Sequence, residues 1–555
     1  MVNIFDQLVM LYGKNANDVQ NAISLFIIKY QHSKPKKWIS EQDIVLITYG
    51  DSITEKGQLP LVTLKKFLDK FVKNKINVIH LLPMFPYSSD DGFSVIDYKA
   101  INPNLGTWEN IQDLSNSYDL MFDAVINHIS VLSEWFKGYL KGNETYANYF
   151  IECDDSFDYH MVTRPRALPL CYPFKTNTGI KNIWATFSND QVDLNYKNSS
   201  VLFEILDILI MYANSGARFI RLDAIGFIWK KLGTTCMHLP ETHALIQVIH
   251  AILEECVPGT ILISETNVPH KENLSYLGNG FNEAQMVYQF PLPPLTLFSF
   301  LSGKATKLID WARSLELTPL SSKTSYFNFL ASHDGIGLRP VDAILSDLER
   351  QLLLNNIVAN GGKISYKLNQ DGSKSPYELN INYQDALYVK GDSDKIRISK
   401  FLASQSILLT IIGVPGIYIH SLLGSRNDYE GLQKSSINRR INREKLDYDE
   451  LILQLKSNSD RNLIFYEYLK MIEIRKSESA FSPIANQKVI DIHESIFAYI
   501  RENIQTNESI LVMTNVSSKR INVNFDFSGL DIISGIKYYG NFTIEPYQYL
   551  WLKHL

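Results

Sequence analysis

The sequence predicts an α/β fold of eight buried parallel strands followed by a small antiparallel β domain, and three observations carry that expectation. Short runs rich in Val, Ile, Leu and Phe alternate with helix-length segments along most of the chain, the order expected of βαβ units. These runs are apolar almost throughout, as strands covered on both faces are. After about residue 484 the texture changes to alternating, β-branched runs separated by turns, which suits antiparallel strands.

Residues 1–43 read as an N-terminal helical extension, with a helix at 21–30 and a polar stretch around Pro35, Lys36 and Lys37. The main body is expected at 44–484. Its first strand, 44–49, is closed by Gly50 and Asp51. Leu64, Phe67, Leu68 and Phe71 then recur with the spacing of a helix face turned toward a core. A second strand at 76–82 ends at Pro83. A helical stretch at 109–115 precedes the third strand, 120–126, and a strongly apolar helix at 199–214 leads into the fourth, 219–222. The helix 243–256 comes before the fifth strand, 260–264, and runs at 284–290, 326–330 and 413–420 complete the set. Two long segments interrupt it. Residues 130–198 show little helical periodicity and read as a loop subdomain inserted after strand 3; residues 360–385, rich in Gly, Ser, Asn and Lys, lie between strands 7 and 8. Strands at 496–499, 509–514, 521–527 and 547–552 make up the C-terminal domain, 485–555.

The 555 residues are 45% hydrophobic and 20% charged, with a formal net charge of -5 and no long Lys/Arg run. This excludes the electrostatic footprint of a nucleic-acid binder. No apolar run approaches membrane-spanning length, and the first residues lack the layout of a secretion signal. A cytoplasmic protein with no membrane or nucleic-acid partner is expected; a homodimer is left open. Cys153, Cys171, Cys236 and Cys256 are widely spaced and form no CxxC pair, so reduced thiols are expected in that compartment.

The chain is organised around Gly216-Ala217-Arg218-Phe219-Ile220-Arg221-Leu222-Asp223-Ala224. A charged pair inside an apolar strand is costly unless its members satisfy each other or polar neighbours. From spacing alone, Arg221 and Asp223 read equally well as a structural ion pair or as functional groups. Other acidic and histidine residues recur at predicted strand ends: Asp123 and His128 around the third, Glu265 after the fifth, His333 and Asp334 after the seventh. In a closed barrel these positions converge on one face, where like-charge repulsion drives carboxylate pKa values apart. Asp123 is expected to be structural, bracing the loop before His128. A retaining glycoside-processing enzyme needs one carboxylate to attack the anomeric carbon and a second, about 5 Å away, to protonate the leaving oxygen. No HExxH or comparable compact metal signature appears, and no metal is expected.

Four of these segments, Asp123-Ala124-Val125-Ile126-Asn127-His128, the nonamer around Asp223, Leu262-Ile263-Ser264-Glu265-Thr266 and Phe329-Leu330-Ala331-Ser332-His333-Asp334, resemble in order the signature regions of the retaining α-glucoside-active family that includes α-amylase, amylosucrase and sucrose phosphorylase. The resemblance implies closure of the eight strands into a (β/α)8 TIM barrel. It also implies roles: Asp223 as nucleophile, Glu265 as acid/base, Asp334 as transition-state stabiliser, and Arg221, His128 and His333 in the glucosyl pocket.

Within that family the chain is most similar to the sucrose-phosphorylase subfamily, known as retaining enzymes that transfer glucose to phosphate. Ser89-Asp90-Asp91-Gly92-Phe93 resembles the segment whose aspartate holds the far hydroxyls of glucose beside a stacked phenylalanine. Arg439, in Asn438-Arg439-Arg440-Ile441-Asn442-Arg443, resembles the arginine that pairs with that aspartate. The resemblance implies no cofactor and inorganic phosphate as co-substrate, with Arg164, Arg166 or Lys175 receiving phosphate or an acceptor carboxylate. Sucrose phosphorylases carry Asp-Leu-Tyr-Gln in the acceptor loop; the comparable stretch here is Tyr377-Glu378-Leu379-Asn380-Ile381-Asn382, with Ile381 at the glutamine position. This stretch, taken with Thr163-Arg164-Pro165-Arg166-Ala167-Leu168-Pro169-Leu170, resembles the glucosylglycerate phosphorylase branch, and Glu378, Asn380 and Ile381 are expected at the acceptor. The competing readings are a sucrose or sucrose-6-phosphate phosphorylase and an α-glucosidase or transglucosylase. A non-catalytic carbohydrate-binding barrel is disfavoured by the presence of all three carboxylates.

Overall fold

The computed structural model describes residues 4–30, 35–154, 156–318, 320–369 and 371–554. Residues 1–3 and 31–34 of the expected extension, 155 of the insertion and 370 of the second long loop lie outside the described residues.

Eight parallel strands close into a barrel: β1 (Val45–Thr48), β2 (Val78–Leu81), β3 (Asp119–Ala124), β4 (Ala217–Leu222), β5 (Ile261–Ser264), β6 (Met286–Tyr288), β7 (Ser325–Phe329) and β8 (Val414–Tyr418). Each strand pairs with its neighbours in sequence, and β8 returns to β1. The (β/α)8 expectation holds strand for strand. Nearly every residue of these strands is buried, because the barrel interior covers one face and the helical layer the other. The helix Pro60–Phe71 turns Leu61, Leu64, Phe67 and Leu68 inward. Ser199–Asn214 is buried around most of its circumference, which its almost continuous apolar sequence requires.

At the N-terminal end of the barrel, Arg218 donates to Asp43 at 2.7 Å and to Asp119 at 2.8 Å, tying the segment before β1 beneath β3 and β4. Farther out, the helices Phe5–Tyr12 and Ala16–Tyr30 pack against the helix Pro240–Cys256.

The segment after β3 is more ordered than its sequence suggested. It contains the helix Glu134–Leu140 and a hairpin of Cys171–Thr176 with Gly179–Trp184. Cys153 lies alongside that hairpin, its N–H donating to the carbonyl of Asn182, and is disulfide-bonded to Cys171. The expectation of four reduced thiols is therefore corrected. Hairpin pairing juxtaposes two cysteines that flank the arginine-bearing loop, while Cys236 and Cys256 are free and buried. The second long segment is also a hairpin, Lys363–Leu368 with Lys374–Asn380, extended by Ile336–Gly337 into a three-stranded sheet above the C-terminal end of β7.

The C-terminal sheet has six strands: β9 (Asn486–Val489), β10 (Ile496–Asn503), β11 (Glu508–Asn515), β12 (Ile521–Asp531), β13 (Lys537–Ile544) and β14 (Tyr549–His554). Sequence reading found four of them; β9 and β13 are too polar and too exposed to show a run. Two fully buried arginines lie where this sheet meets the barrel. Arg501 of β10 donates to the carbonyls of Thr410 and Ser482, each at 2.7 Å. Arg475 donates to those of Leu409 at 2.7 Å and Phe481 at 3.1 Å. Trp551 of β14 adds a 2.8 Å bond to Ser406.

Candidate active site

Asp223 and Glu265 stand one residue beyond β4 and β5, and their backbone N–H groups extend the strand ladder to the carbonyls of Ala124 at 3.1 Å and Leu222 at 3.2 Å. The two carboxylates therefore emerge from adjacent strand ends. Strand alternation puts Arg221 on the same face as Asp223. Arg221 Nη1 donates to Asp223 at 2.7 Å and to Asp123 at 2.5 Å, while Nη2 stands 3.8 Å from Glu265. Asp123 lies opposite Arg221 in the β3–β4 register and also meets His80 at 2.8 Å. Its structural role is to brace Arg221, not the loop before His128. Ala224 adopts a left-handed φ of 49°, which aims its N–H at Glu265 Oε2, 2.9 Å away.

Burial pushes Asp223 up to about 8; Arg221 opposes this and Glu265 reinforces it. Burial likewise raises Glu265, against Arg221 and with Asp334. The pair thus retains a proton near neutrality. The nearer guanidinium favours the anion on Asp223, which leaves Glu265 the better placed of the two to hold the proton. Asp334 behaves oppositely: burial alone would raise it, but Arg439 at 2.6 Å, His333 and Arg221 outweigh that and hold it well below the usual carboxylate range. His333 is pushed down to about 3 by burial and is neutral.

The floor of the site is formed by the loop after β2. Asp90, Asp91 and Gly92 have successive φ values of 56°, 49° and 112°. A Cβ on Gly92 would come 2.9 Å from the Pro83 carbonyl oxygen, so no other residue fits there. This turn exposes Asp90 and seats the Phe93 ring on His333, centroids 4.8 Å apart and planes within 3°. The Phe93 carbonyl lies 2.9 Å from His128 Nε2 and accepts from Gln191 at 2.9 Å. Residues His128–Ser130 pair with Gln191–Asp193, which brings Gln191 in from the insertion.

The expected Arg439–Asp90 pair does not form. Asp90 is met by Arg166 at 2.7 Å and Gln191 at 3.3 Å. Arg439 grips Glu378 with two bonds of 3.0 and 2.9 Å and reaches Asp334. Arg443 binds Asp91 at 2.5 Å and the His333 carbonyl at 2.7 Å.

A cavity of about 390 Å³ opens above these residues, and all nine predicted as catalytic or glucose-binding line it: Asp223, Glu265, Asp334, Asp90, Phe93, His128, Arg221, His333 and Arg439. Arg166 and Glu378 line it as well. The other predicted acceptor residues do not. Arg164 lies outside the lining, and Lys175 is exposed on the outer hairpin. Asn380 is buried and bonded to Ser365. Ile381 is 2% exposed and part of the hydrophobic core, so it does not face an acceptor. Gly335 lets the loop after β7 approach Glu378 closely, since a Cβ there would come 2.5 Å from the Leu379 carbonyl oxygen.

Sequence reading missed Arg339, Asn267 and Gln191 in the lining. Arg339 carried a signal in hindsight, as a cation five residues beyond Asp334 in the same strand-end loop. Among the described residues, no group of three or more His, Cys, Asp or Glu side chains is arranged to hold a metal ion, and no helix is long and apolar enough to cross a membrane.

A model of the α-amylase catalytic domain matches residues 48–341. The chain belongs to the α-amylase family. Within the α-amylase family it is 47% identical over 480 residues to a glucosylglycerate phosphorylase of Spirochaeta thermophila, covering 86% of this chain and 81% of that one. It is 43% identical over 522 residues to a glucosylglycerate phosphorylase of Escherichia coli, covering 93% of each. A sucrose 6F-phosphate phosphorylase from Thermoanaerobacter thermosaccharolyticum superposes with a TM-score of 0.76 over 92% of this chain and 99% of that one, at 23% identity. That likeness shows a shared fold over most of the chain.

Proposed function

We propose that the chain is a retaining glucosyl phosphorylase that interconverts 2-O-α-D-glucosyl-D-glycerate plus phosphate with α-D-glucose 1-phosphate plus D-glycerate. The observation that carries the acceptor is the 47% identity with a glucosylglycerate phosphorylase over 86% of this chain. The site chemistry supports the class.

In this reading the Asp223 carboxylate attacks the anomeric carbon. The bond to the glycerate oxygen breaks, and the Glu265 proton passes to that oxygen. Glycerate departs, leaving a β-glucosyl ester on Asp223. A phosphate oxygen then attacks from the vacated side while Glu265 takes up a proton, and the ester opens to regenerate Asp223. Two inversions give net retention. Asp334, anionic throughout, accepts hydrogen bonds from the sugar 2- and 3-hydroxyls and strengthens its hold as the ring flattens. Asp90 holds the far hydroxyls, and Phe93 with His333 forms the apolar wall. The Asp90–Arg166 contact closes the inner end, which suits a single terminal glucosyl unit.

Phosphorolysis keeps the energy of the glycosidic bond in a sugar phosphate, which favours a cytoplasmic location. Cell fractionation tests this, and it is a pointed test because the Cys153–Cys171 bridge is of a kind more common outside that compartment.

The deciding experiment measures phosphate release from α-glucose 1-phosphate with D-glycerate, L-glycerate, glycerol, fructose, fructose 6-phosphate or glucose as acceptor. Release with D-glycerate far above the others is expected. Release chiefly with fructose or fructose 6-phosphate would reassign the acceptor, and acceptor-independent hydrolysis would move the enzyme to the glucosidases.

A further inference from the structure

Four guanidinium groups line the cavity: Arg166, Arg221, Arg339 and Arg439. Three are neutralised by carboxylates. Arg166 pairs with Asp90, Arg221 with Asp123 and Asp223, and Arg439 with Asp334 and Glu378. Arg339 differs from them. Its hydrogen bond runs to the thioether of Met237 at 3.7 Å, a weak acceptor, and among the described residues no carboxylate stands within ion-pair distance of it.

Its position is fixed by backbone rather than by a counter-ion. The Leu338 N–H donates to the Tyr377 carbonyl at 3.0 Å, continuing the pairing of Ile336–Gly337 with the hairpin strand Lys374–Asn380. Arg339 then opens a short helical turn, Arg339–Val341, with Pro340 second in it. Tyr377 feels the charges of both Glu265 and Arg339, and its hydroxyl lies 3.3 Å from Asn267, two residues beyond Glu265. The wall from the proton donor through Asn267 and Tyr377 thus ends at Arg339. This is the side on which a leaving group protonated by Glu265 departs.

A guanidinium without a counter-ion in a partly closed cavity is an incomplete electrostatic arrangement, and its planar fork matches a carboxylate or a phosphate. On the proposed reading, which this inference rests on, two oxyanions occupy that side in succession: the carboxylate of the departing acid and then inorganic phosphate. We propose that Arg339 is the anion receptor of the acceptor half of the cavity and serves both. The other cavity arginines are committed to holding the glucosyl pocket and the carboxylates.

Arg339→Gln and Arg339→Lys test this in both directions of the reaction. For Arg339→Gln, kcat/KM falls about 10- to 100-fold for D-glycerate in synthesis and for phosphate in phosphorolysis, the range expected on losing a charge-assisted hydrogen bond. With glycerol, which has no carboxylate, the fall is several-fold smaller, so the preference for glycerate over glycerol shrinks. Arg339→Lys keeps the charge without the fork and recovers part of both losses. Inorganic phosphate raises the thermal unfolding midpoint of the wild type and not of Arg339→Gln. A loss confined to one anion overturns the shared receptor in favour of that anion alone. No loss, or equal losses for glycerol and glycerate, overturns the proposal outright. Wild-type enzyme that fails to use D-glycerate would instead overturn the functional reading, independently of Arg339.

Discussion

Arg221 lies 2.7 Å from Asp223 but 3.8 Å from Glu265. Both carboxylates are raised by burial, and this difference in contact favours the anion on Asp223 over that on Glu265. In the proposed mechanism it makes one the nucleophile and its neighbour the acid without any difference in residue chemistry beyond one methylene.

The first expectation concerns rate and pH. Phosphorolysis requires the protonated member of the pair, and burial raises Glu265, so kcat/KM declines as pH rises on the alkaline side of neutrality. A pH–rate profile for phosphorolysis checks this. A profile without an alkaline limb would show that the pair does not hold its proton into the neutral range.

A second expectation concerns stability. Burial raises Asp223 and Glu265 above their unfolded values, near 3.9 and 4.3, so the favourable contribution of the protonated pair is full in acid and is lost as rising pH strips the proton that the pair shares. Asp223→Asn therefore exceeds wild type in stability at alkaline pH by roughly 1–3 kcal/mol and converges with it in acid, while losing turnover. Urea unfolding at the two pH extremes provides the comparison, and equal offsets at both would contradict the assignment.

The corrected pairing at the pocket floor is testable by double-mutant cycles. Asp90→Asn and Arg166→Gln are expected to couple by about 1–3 kcal/mol in transition-state energy, because they share a 2.7 Å bond. Asp90→Asn and Arg439→Gln should couple less, since Arg439 reaches Asp90 only through space. The reverse order would restore the Asp90–Arg439 pair expected from sequence.

Arg166 is carried on the segment closed by Cys153 and Cys171, 18 residues apart. A loop of that size gains about 3 kcal/mol from closure in the chain-entropy model. Reduction, or Cys153→Ser, is therefore expected to loosen Arg166 from Asp90 and raise KM for the glucoside roughly 3- to 10-fold. Assays with and without reductant measure it, with Cys256→Ser as a control for thiol chemistry elsewhere. Unchanged KM would make the bridge irrelevant to the pocket.

The barrel was legible because each of its strands is covered on both faces and so reads as an unbroken apolar run. The carboxylates were legible for a related reason: Asp223 and Glu265 mark where such a run stops. Contacts between distant loops were not legible. Asn438-Arg439 and Asn442-Arg443 repeat the same dipeptide, and only folding sends one arginine to Asp334 and Glu378 and the other to Asp91. Asp90 finds its partner 76 residues away, where no local spacing could announce it. Ile381 misled because the chain turns at the end of its hairpin strand, so the residue after Asn380 enters the core while Glu378 faces the cavity. Lys175 had a suitable charge on the outer side of its hairpin. Arg339 was overlooked because a single arginine in a loop is by default a solvated one.

The two buried arginines beneath the C-terminal sheet bear on modularity. Arg475 and Arg501 find only carbonyl oxygens, gathered from the barrel side at Leu409 and Thr410 and from the connecting turn at Phe481 and Ser482. Burial depresses both, Arg475 to about 9 and Arg501 to about 10. Cutting the chain between barrel and sheet would take the Thr410 and Ser482 carbonyls away from Arg501 and leave it in an interior that no longer solvates it. The barrel is thus part of the solvent for a charge that the sheet carries, and the sheet cannot be exchanged like an appended binding domain.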